Sequence, residues 1–330
     1  MRIVEAGAGA GSVTLYDFEP TPDRLCEDVA RGLSVQPRSL PPKYFYDERG
    51  ARLFERITRL EAYYPTRTEI GILRENAADI ARRIGPGVRL VEFGSGSGDK
   101  TWLLLEHLDE PAAYIPVDIS RTQLVEFAVK VAEAFPELTV EAVCADYTAE
   151  YTLPDPGGAR RSVAFFPGST IGNFEPHEAV AFLRRVRRLV GDDGGLLLGA
   201  DLQKDVAVME RAYNDPEGVT AEFNLNLLRR INRECAADFR LDAFRHEAIF
   251  DATECRIEMR LVSLEQQTVR LQGAGDQVVE AAFAPGDPIT TEYSYKYDRE
   301  RLQEMATESG WTISALWTDS REWFAVLLLE

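Results

Sequence analysis

Between residues 88 and 202, short apolar runs alternate with stretches of helical period, and that rhythm leaves this 330-residue chain few architectures. VRLVEF (88–93), AYIPVDIS (113–120), LTVEAVCAD (138–146), RRSVAFFPGS (160–169) and GGLLLGADL (194–202) read as strands. TEIGILRENAADIARRIG before the first run, TWLLLEHL after it, SRTQLVEFAVKVAEAF with the cap-like Ser120, and EPHEAVAFLRRVRRLVG read as helices. Strands alternating with helices imply a mostly parallel sheet covered on both faces.

After Asp201 the rhythm breaks. AVMERAYNDPEGVTAEFNLNLLRRINREC is strongly helical, and EAIFDATECRIEMRLVSLEQQTVRL reads as long antiparallel strands with alternating faces. Alternation returns at the carboxyl end, where DRERLQEMATESG is a helix stopped by Gly310 and WTISALWTD and WFAVLLLE form a hairpin. A parallel sheet closed by a helix and a terminal hairpin is the α/β plan of class I methyltransferases, a Rossmann-like sheet, and the middle of the chain is then an insertion. The expected catalytic domain is 66–202 with 297–330, and 1–65 with 203–296 form a discontinuous α+β substrate-binding domain. Sites in such sheets lie outside the carboxyl ends of the strands, and the insertion leaves from one of those ends, so it is expected to cover the site.

Composition removes several classes. A formal net charge of -18, spread along the chain, opposes any phosphate backbone, so no nucleic-acid partner is expected. Cys26, Cys144, Cys235 and Cys255 lie far apart without a CxxC pair or a histidine at zinc-ligand spacing, which predicts reduced thiols and no metal. No stretch is long and apolar enough to cross a bilayer, and the amino terminus lacks the pattern of a signal peptide. The GAGAGS run near the amino terminus reads as a flexible lead-in, since no strand is expected before it. The expectation is a cytoplasmic monomer acting on a small molecule.

VEFGSGSGDK (91–100) sets the nucleotide chemistry. A dinucleotide fingerprint requires a third glycine where Asp99 stands. The spacing is GxGxG instead: Gly94, Gly96 and Gly98 permit a tight turn and close approach, and Glu92 orients the loop or reaches an amino-acid moiety. S-adenosylmethionine has no pyrophosphate to cradle. Asp118, ending the second strand, suits two ribose hydroxyls, and Asp146 with Tyr147 in CADY suits an adenine.

Four further stretches are unusual for plain structure: SLPPKYFYDERGARLFERITRLEAYYPTRTE, FFPGSTIGNF, RAYNDPEGVTAEFN and ITTEYSYKY. With them, from about Leu25 to the end, the chain resembles the L-histidine Nα-methyltransferases of ergothioneine biosynthesis, which convert histidine to its trimethylated betaine, hercynine. The resemblance implies that Asn173 of GSTIGN, Tyr63 and Tyr213 hold the amino-acid head. A neutral amide and phenols fix a zwitterion without adding a charge that would trap the ammonium form. It implies that Glu292 and Ser294, on one face of a strand, meet the two imidazole nitrogens, with Phe54 and Met259 as walls and Gly168 and Thr220 as further contacts. Taken alone, Met259 reads as core and Glu292 as a solvated strand residue. Tyr46 and Lys100 are similar to family positions near the cofactor, S-adenosyl-L-methionine. Departures lie in the flanks, at Tyr44, Tyr293 and Tyr295, which are expected to alter pocket width.

The implied reaction is an in-line displacement that moves positive charge from sulfur to nitrogen and needs no metal. An unperturbed α-amine, with a pKa of about 8, supplies some neutral nucleophile at pH 7. A relative that methylates tryptophan or a prenylated tryptophan is a rival, against which the polar Glu292 counts, because an indole pocket would be more apolar there. A non-catalytic S-adenosylmethionine-binding regulator is another, against which the set Tyr63, Asn173 and Tyr213 counts. A nicotinamide dehydrogenase is opposed by Asp99 and the terminal hairpin.

Overall fold

Each apolar run of 88–202 forms a strand in the computed structural model, which describes residues 2–6, 13–18, 25–94, 98–149, 151–155, 157–273 and 278–330. In chain order the elements are β1 (Arg2–Ala6), β2 (Val13–Asp17), α1 (Leu25–Ser34), α2 (Glu48–Thr58), α3 (Tyr64–Ile84), β3 (Val88–Phe93), α4 (Asp99–Leu105), β4 (Ala113–Asp118), α5 (Arg121–Ala134), β5 (Thr139–Cys144), β6 (Arg161–Phe166), α6 (Pro176–Val190) and β7 (Gly195–Asp201). Then come α7 (Val206–Tyr213), α8 (Val219–Glu234), β8 (Phe244–Asp251), β9 (Arg256–Ser263), β10 (Gln267–Gln272), β11 (Val278–Phe283), β12 (Pro288–Tyr295), α9 (Arg299–Glu308), β13 (Ile313–Thr318) and β14 (Phe324–Leu329).

The chain divides into two compact units, the first made of 1–20, 68–202 and 297–330, the second of 21–67 and 203–296. The first unit holds a nine-stranded sheet in the order β1-β2-β5-β4-β3-β6-β7-β14-β13. From β2 to β7 neighbouring strands are parallel, while β14 and β13 run antiparallel at one edge. Chain order reverses at β3, with β4 on one side and β6 on the other, so the loops after β3 and β4 open at the switch point where such sheets bind ligands. This is the strand order of a class I methyltransferase. β7 and β14 are buried along their whole length, which is why GLLLGAD and FAVLLL carry no polar alternation. Ile72, Leu73 and Ile80 of α3, Leu104 and Leu105 of α4, and Leu124, Phe127 and Val131 of α5 share one core with Leu90, Tyr114 and Phe165.

Two expectations for the amino terminus are corrected. β2 pairs in parallel with β5 and β1 folds antiparallel onto β2, so these residues extend the sheet of the first unit instead of joining the second domain expected for 1–65. Val13 and Leu15, each 1% exposed, supply the reason: they complete the core beside β5. A strand also precedes the GAGAGS run, although the run itself lies outside the described residues. Ser120 makes no side-chain cap; Asp118 Oδ1 accepts its N–H at 2.8 Å.

In the second unit, β12-β9-β8 form an antiparallel sheet and β10-β11 a separate hairpin. α8 packs on α2 and β8, burying Phe223, Leu227, Leu228 and Ile231. The prediction of reduced thiols fails at one pair: Cys26, in the first turn of α1, is disulfide-bonded to Cys235, the residue after α8. Their sequence separation of 209 hid this pairing, because nothing local in either stretch marks a partner. Denatured but unreduced protein is expected to titrate two thiols, those of Cys144 and Cys255. The double variant Cys26→Ser/Cys235→Ser is expected to lose about 2–4 kcal/mol in denaturant unfolding; four thiols in the unreduced wild type would refute the bond.

Candidate active site

β3 delivers Glu92 to the switch point with its side chain buried, 1% exposed. Thr101 donates its hydroxyl to both carboxylate oxygens, at 2.9 and 2.7 Å, and the Tyr114 hydroxyl donates to Oε2. Burial pushes the Glu92 carboxyl up to about 7, against the Tyr114 and Thr101 hydrogen bonds and the Lys100 charge, which pull it down. The chain then turns through Gly94, whose φ of 75° suits glycine. Gly96 lies outside the described residues. Gly98 has a φ of 79° and precedes α4; a Cβ there would sit 2.0 Å from Phe127 Cε2, so glycine is required on both counts.

Asp118 ends β4 with its carboxyl raised by burial, while backbone N–H groups of Ser120 and Ile119 oppose the shift. Asp146 accepts the N–H of Thr148 at 2.9 Å, which fixes the turn after β5. The neighbouring Tyr147 sets its ring against Phe93, Phe166 and Phe182. Three carboxyls, Glu92, Asp118 and Asp146, and the aromatic ring of Tyr147 thus lie at or just after the strand ends of the first unit, an acceptor set suited to a cationic nucleoside.

Glu69 was passed over in the sequence, and it organises this region. Its carboxylate is wholly buried, pairs with Lys100 Nζ at 2.5 Å, and accepts the Gly168 N–H at 3.0 and 2.9 Å. Gly168 has a φ of 80°, and a Cβ on Gly199 would come 2.1 Å from Glu69 Oε1. Ser169 Oγ accepts the Asp201 N–H at 2.9 Å, and the Tyr297 hydroxyl donates to the Ile171 carbonyl at 3.2 Å. The loop ending in the 3₁₀ turn Thr170–Asn173, which carries half-buried Asn173, is therefore held by three separate anchors. The sequence did carry a signal: Glu69 lies three and four residues before Ile72 and Leu73, an acid on an apolar helix face.

The second unit gathers the other site residues. The Tyr63 ring meets Tyr213 edge-on at 6.0 Å and Phe54 at 6.4 Å, and Phe54 in turn meets Tyr46 at 5.5 Å. Phe223, also unassigned from the sequence, packs on both Phe54 and Tyr46. Met259 on β9 stands directly opposite Glu292 on β12. Ser294 Oγ and the Tyr213 hydroxyl are 2.8 Å apart, and the ammonium of Lys296 donates to both. Thr220 is buried in the first turn of α8, its N–H given to Asp215 Oδ1 at 2.7 Å. Beneath Tyr213, His246 Nδ1 takes a hydrogen bond from the Asn224 amide, so Nε2–H donates to the Tyr213 carbonyl, and burial lowers the imidazole pKa. Tyr293 and Tyr295 do not narrow this face. They alternate away from Glu292 and Ser294, and Arg256 lies over the Tyr293 ring at 3.7 Å and donates to the Tyr295 hydroxyl at 2.6 Å. Tyr44 is likewise occupied, donating to Asp28 at 2.7 Å.

The profile of the histidine-specific, S-adenosylmethionine-dependent methyltransferases matches residues 25–330. The chain belongs to that family. A histidine Nα-methyltransferase of Mycolicibacterium smegmatis is 41% identical over 300 residues, covering 90% of this chain and 92% of the relative. One from Mycobacterium tuberculosis is 41% identical over 307 residues, covering 92% of this chain and 94% of the relative. The ergothioneine biosynthesis protein 1 of Neurospora crassa is 31% identical over 303 residues, 89% of this chain but only 33% of that longer protein. Methyltransferases of this family use S-adenosylmethionine, and the first unit fits it: positive-φ glycines stand at residues 94 and 98 after β3, a buried carboxyl at the end of β3 and a half-buried one at the end of β4.

A raised carboxylic acid favours the folded state while protonated, so the Glu92 contribution is full below its unfolded pKa of 4.5 and is lost as pH rises through about 7. A ligand cation reverses the preference by favouring the carboxylate. Calorimetric affinity for S-adenosylmethionine is therefore expected to rise with pH up to about 7 and then level, by at most about tenfold per unit. Glu92→Gln is expected to bind more weakly with a flatter profile; identical profiles would remove Glu92 from cofactor binding.

Proposed function

We propose that the protein transfers three methyl groups in succession from S-adenosylmethionine to the α-amino nitrogen of L-histidine, forming hercynine in the first step of ergothioneine biosynthesis. The observation that carries this reading is the polar face of β12: Glu292 and Ser294 stand on one side of the strand, opposite Met259 and joined to Tyr213. A half-buried carboxylate beside a buried hydroxyl suits a ring with two nitrogens and is a poor lining for an indole.

When bound, S-adenosylmethionine supplies an electrophilic methyl group on a sulfonium sulfur. Glu92 is assigned to its amino-acid moiety, Asp118 to the ribose hydroxyls, and Asp146 with Tyr147 to the adenine; Gly94 and Lys100 complete the cofactor set, with Tyr46 as a further contact. Asn173, Tyr63 and Tyr213 are assigned to the acceptor's amino-acid head. Hydrogen bonds from an amide and phenols orient the neutral amine along the line of attack, where effective molarity supplies much of the rate. No strong base is required, because an α-amine is partly deprotonated near neutral pH. Each intermediate is still an amine, so it can be presented again until the nitrogen is quaternary. We place the enzyme in the cytoplasm as a monomer; light scattering at the mass of one chain tests the second part.

The deciding experiment is mass spectrometry of L-histidine incubated with purified protein and S-adenosylmethionine, with L-tryptophan in parallel. Gains of one, two and three methyl groups on histidine alone are expected, and modified tryptophan with untouched histidine would overturn the acceptor assignment. Asn173→Ala is expected to lower kcat/KM by about 100-fold, the scale of a misaligned nucleophile; normal turnover in that variant would defeat the role given to Asn173.

A further inference from the structure

α7 ends at Tyr213, so the carbonyl of that residue is one of the last four of a helix, groups that a helix cannot satisfy from its own ladder. His246, on the edge strand β8, reaches it: Nε2–H donates to the Tyr213 carbonyl at 2.8 Å. The other side of the ring fixes the proton there. The Asn224 amide nitrogen lies 2.9 Å from Nδ1 and 3.1 Å from the Arg260 carbonyl. A carbonyl can only accept, so the NH2 end of the amide stands at this position, and Nδ1 must accept from it. Turning the amide over would set its oxygen against the Arg260 carbonyl. Two backbone carbonyls, one on β9 and one at the end of α7, thus dictate a single neutral tautomer from opposite sides of the ring. Burial holds the imidazole pKa below its ordinary value of 6.5, against the pull of the Tyr213 carbonyl, Asp215 and Glu247. Two further contacts lay the end of α7 along β8: Asn214 exchanges hydrogen bonds with the Ala248 backbone at 2.9 and 2.8 Å, and Glu210 accepts the Phe250 N–H at 3.0 Å. These seat the helix. The His246 contact reaches the residue whose phenol stands 2.8 Å from Ser294 Oγ and whose ring meets Tyr63 edge-on at 6.0 Å.

We propose that His246 is a positioning residue of the acceptor pocket, holding the Tyr213 backbone through Nε2–H so that the phenol stands where the amino-acid head of the substrate binds. This rests on the reading of the protein as a histidine Nα-methyltransferase, in which Tyr213 meets that head. His246 acts through Tyr213 alone, and Asn224 acts through His246 by choosing its tautomer. The effect is geometric. A displacement of about 1 Å in a group that orients a nucleophile costs on the order of 100-fold in rate, and the loss of one anchor among three costs a part of that.

The test sets two uncharged variants against each other. In His246→Gln the side-chain amide nitrogen takes the place of Nε2 and keeps the donation to Tyr213. In His246→Asn the side chain is one bond shorter, reaches only the place of Nδ1, and the donation is lost. kcat/KM for L-histidine is expected to fall about tenfold in His246→Asn, the scale of one buried hydrogen bond, and to recover to within about threefold of the wild type in His246→Gln. The calorimetric Kd for S-adenosylmethionine is expected to stay within about twofold in both, since neither change touches the first unit. A role in stability alone would lower the two variants alike. A His246→Asn enzyme with the kcat/KM of the wild type overturns the proposal, as does a His246→Gln enzyme as slow as His246→Asn when both bind S-adenosylmethionine normally. The tautomer is read on the wild type, whether or not the variants fold: NMR of protein with isotope-labelled histidine rings is expected to show His246 neutral and protonated at Nε2 at neutral pH, and a proton on Nδ1 instead overturns the proposal. A wild type that leaves histidine unmethylated overturns the functional reading and this inference with it, whereas a wild type that methylates histidine confines a failure to His246.

Discussion

One buried carboxylate, Glu69, fixes the geometry on which the chemistry of the first unit depends. It reaches from α3 to Lys100 at the start of α4 and to the backbone of Gly168 in the loop after β6, so two loops assigned to different ligands share one anchor. Charge-assisted hydrogen bonds of this kind are short and directional, and removing one partner of a buried pair leaves an uncompensated charge at a cost of about 3–5 kcal/mol. The arrangement is also exclusive. Gly199 must lack a side chain for the carboxylate to fit, and Gly168 must adopt a positive φ to present its N–H.

Much of the fold was legible because the central strands are buried on both faces. VRLVEF and RSVAFF have no solvent-facing side to encode, so their composition alone marks them, and the glycines after Phe93 mark the turn that follows. β1 and β2 escaped notice for the opposite reason. They are five residues each at one end of the sheet, and in β2 the buried face is carried by Val13 and Leu15. Alternation along β12 places Glu292 and Ser294 on one face and Tyr293 and Tyr295 on the other, as the period of a strand requires.

What sequence reasoning missed are charges that do not behave as surface charges. Lys296 at a strand end reads as solvated, and Glu69 reads as one acid among many in a chain of net charge -18. Both are wholly buried, and each gains its meaning from residues distant in sequence: Tyr213 for the lysine, Gly168 and Gly199 for the glutamate. Periodicity assigns a face to such residues but gives no partner. Cys26 and Cys235 fail to announce themselves for the same reason.

The split of the second unit has a consequence for how the chain is made. Residues 21–67 leave the ribosome well before the elements they share a unit with, which lie in 203–296. At about 5–20 residues per second, synthesis of the intervening sheet keeps them waiting on the order of ten seconds. During that interval the apolar side chains Leu53 and Ile57 of α2 have no α8 to cover them, and Cys26 has no Cys235 to bond. The parallel strands β3 to β7 are meanwhile complete and still lack α9 and the closing hairpin of β13 and β14. The nascent chain therefore passes through a stage with one nearly finished unit and one open half, and that is the stage at which a chaperone has most to protect.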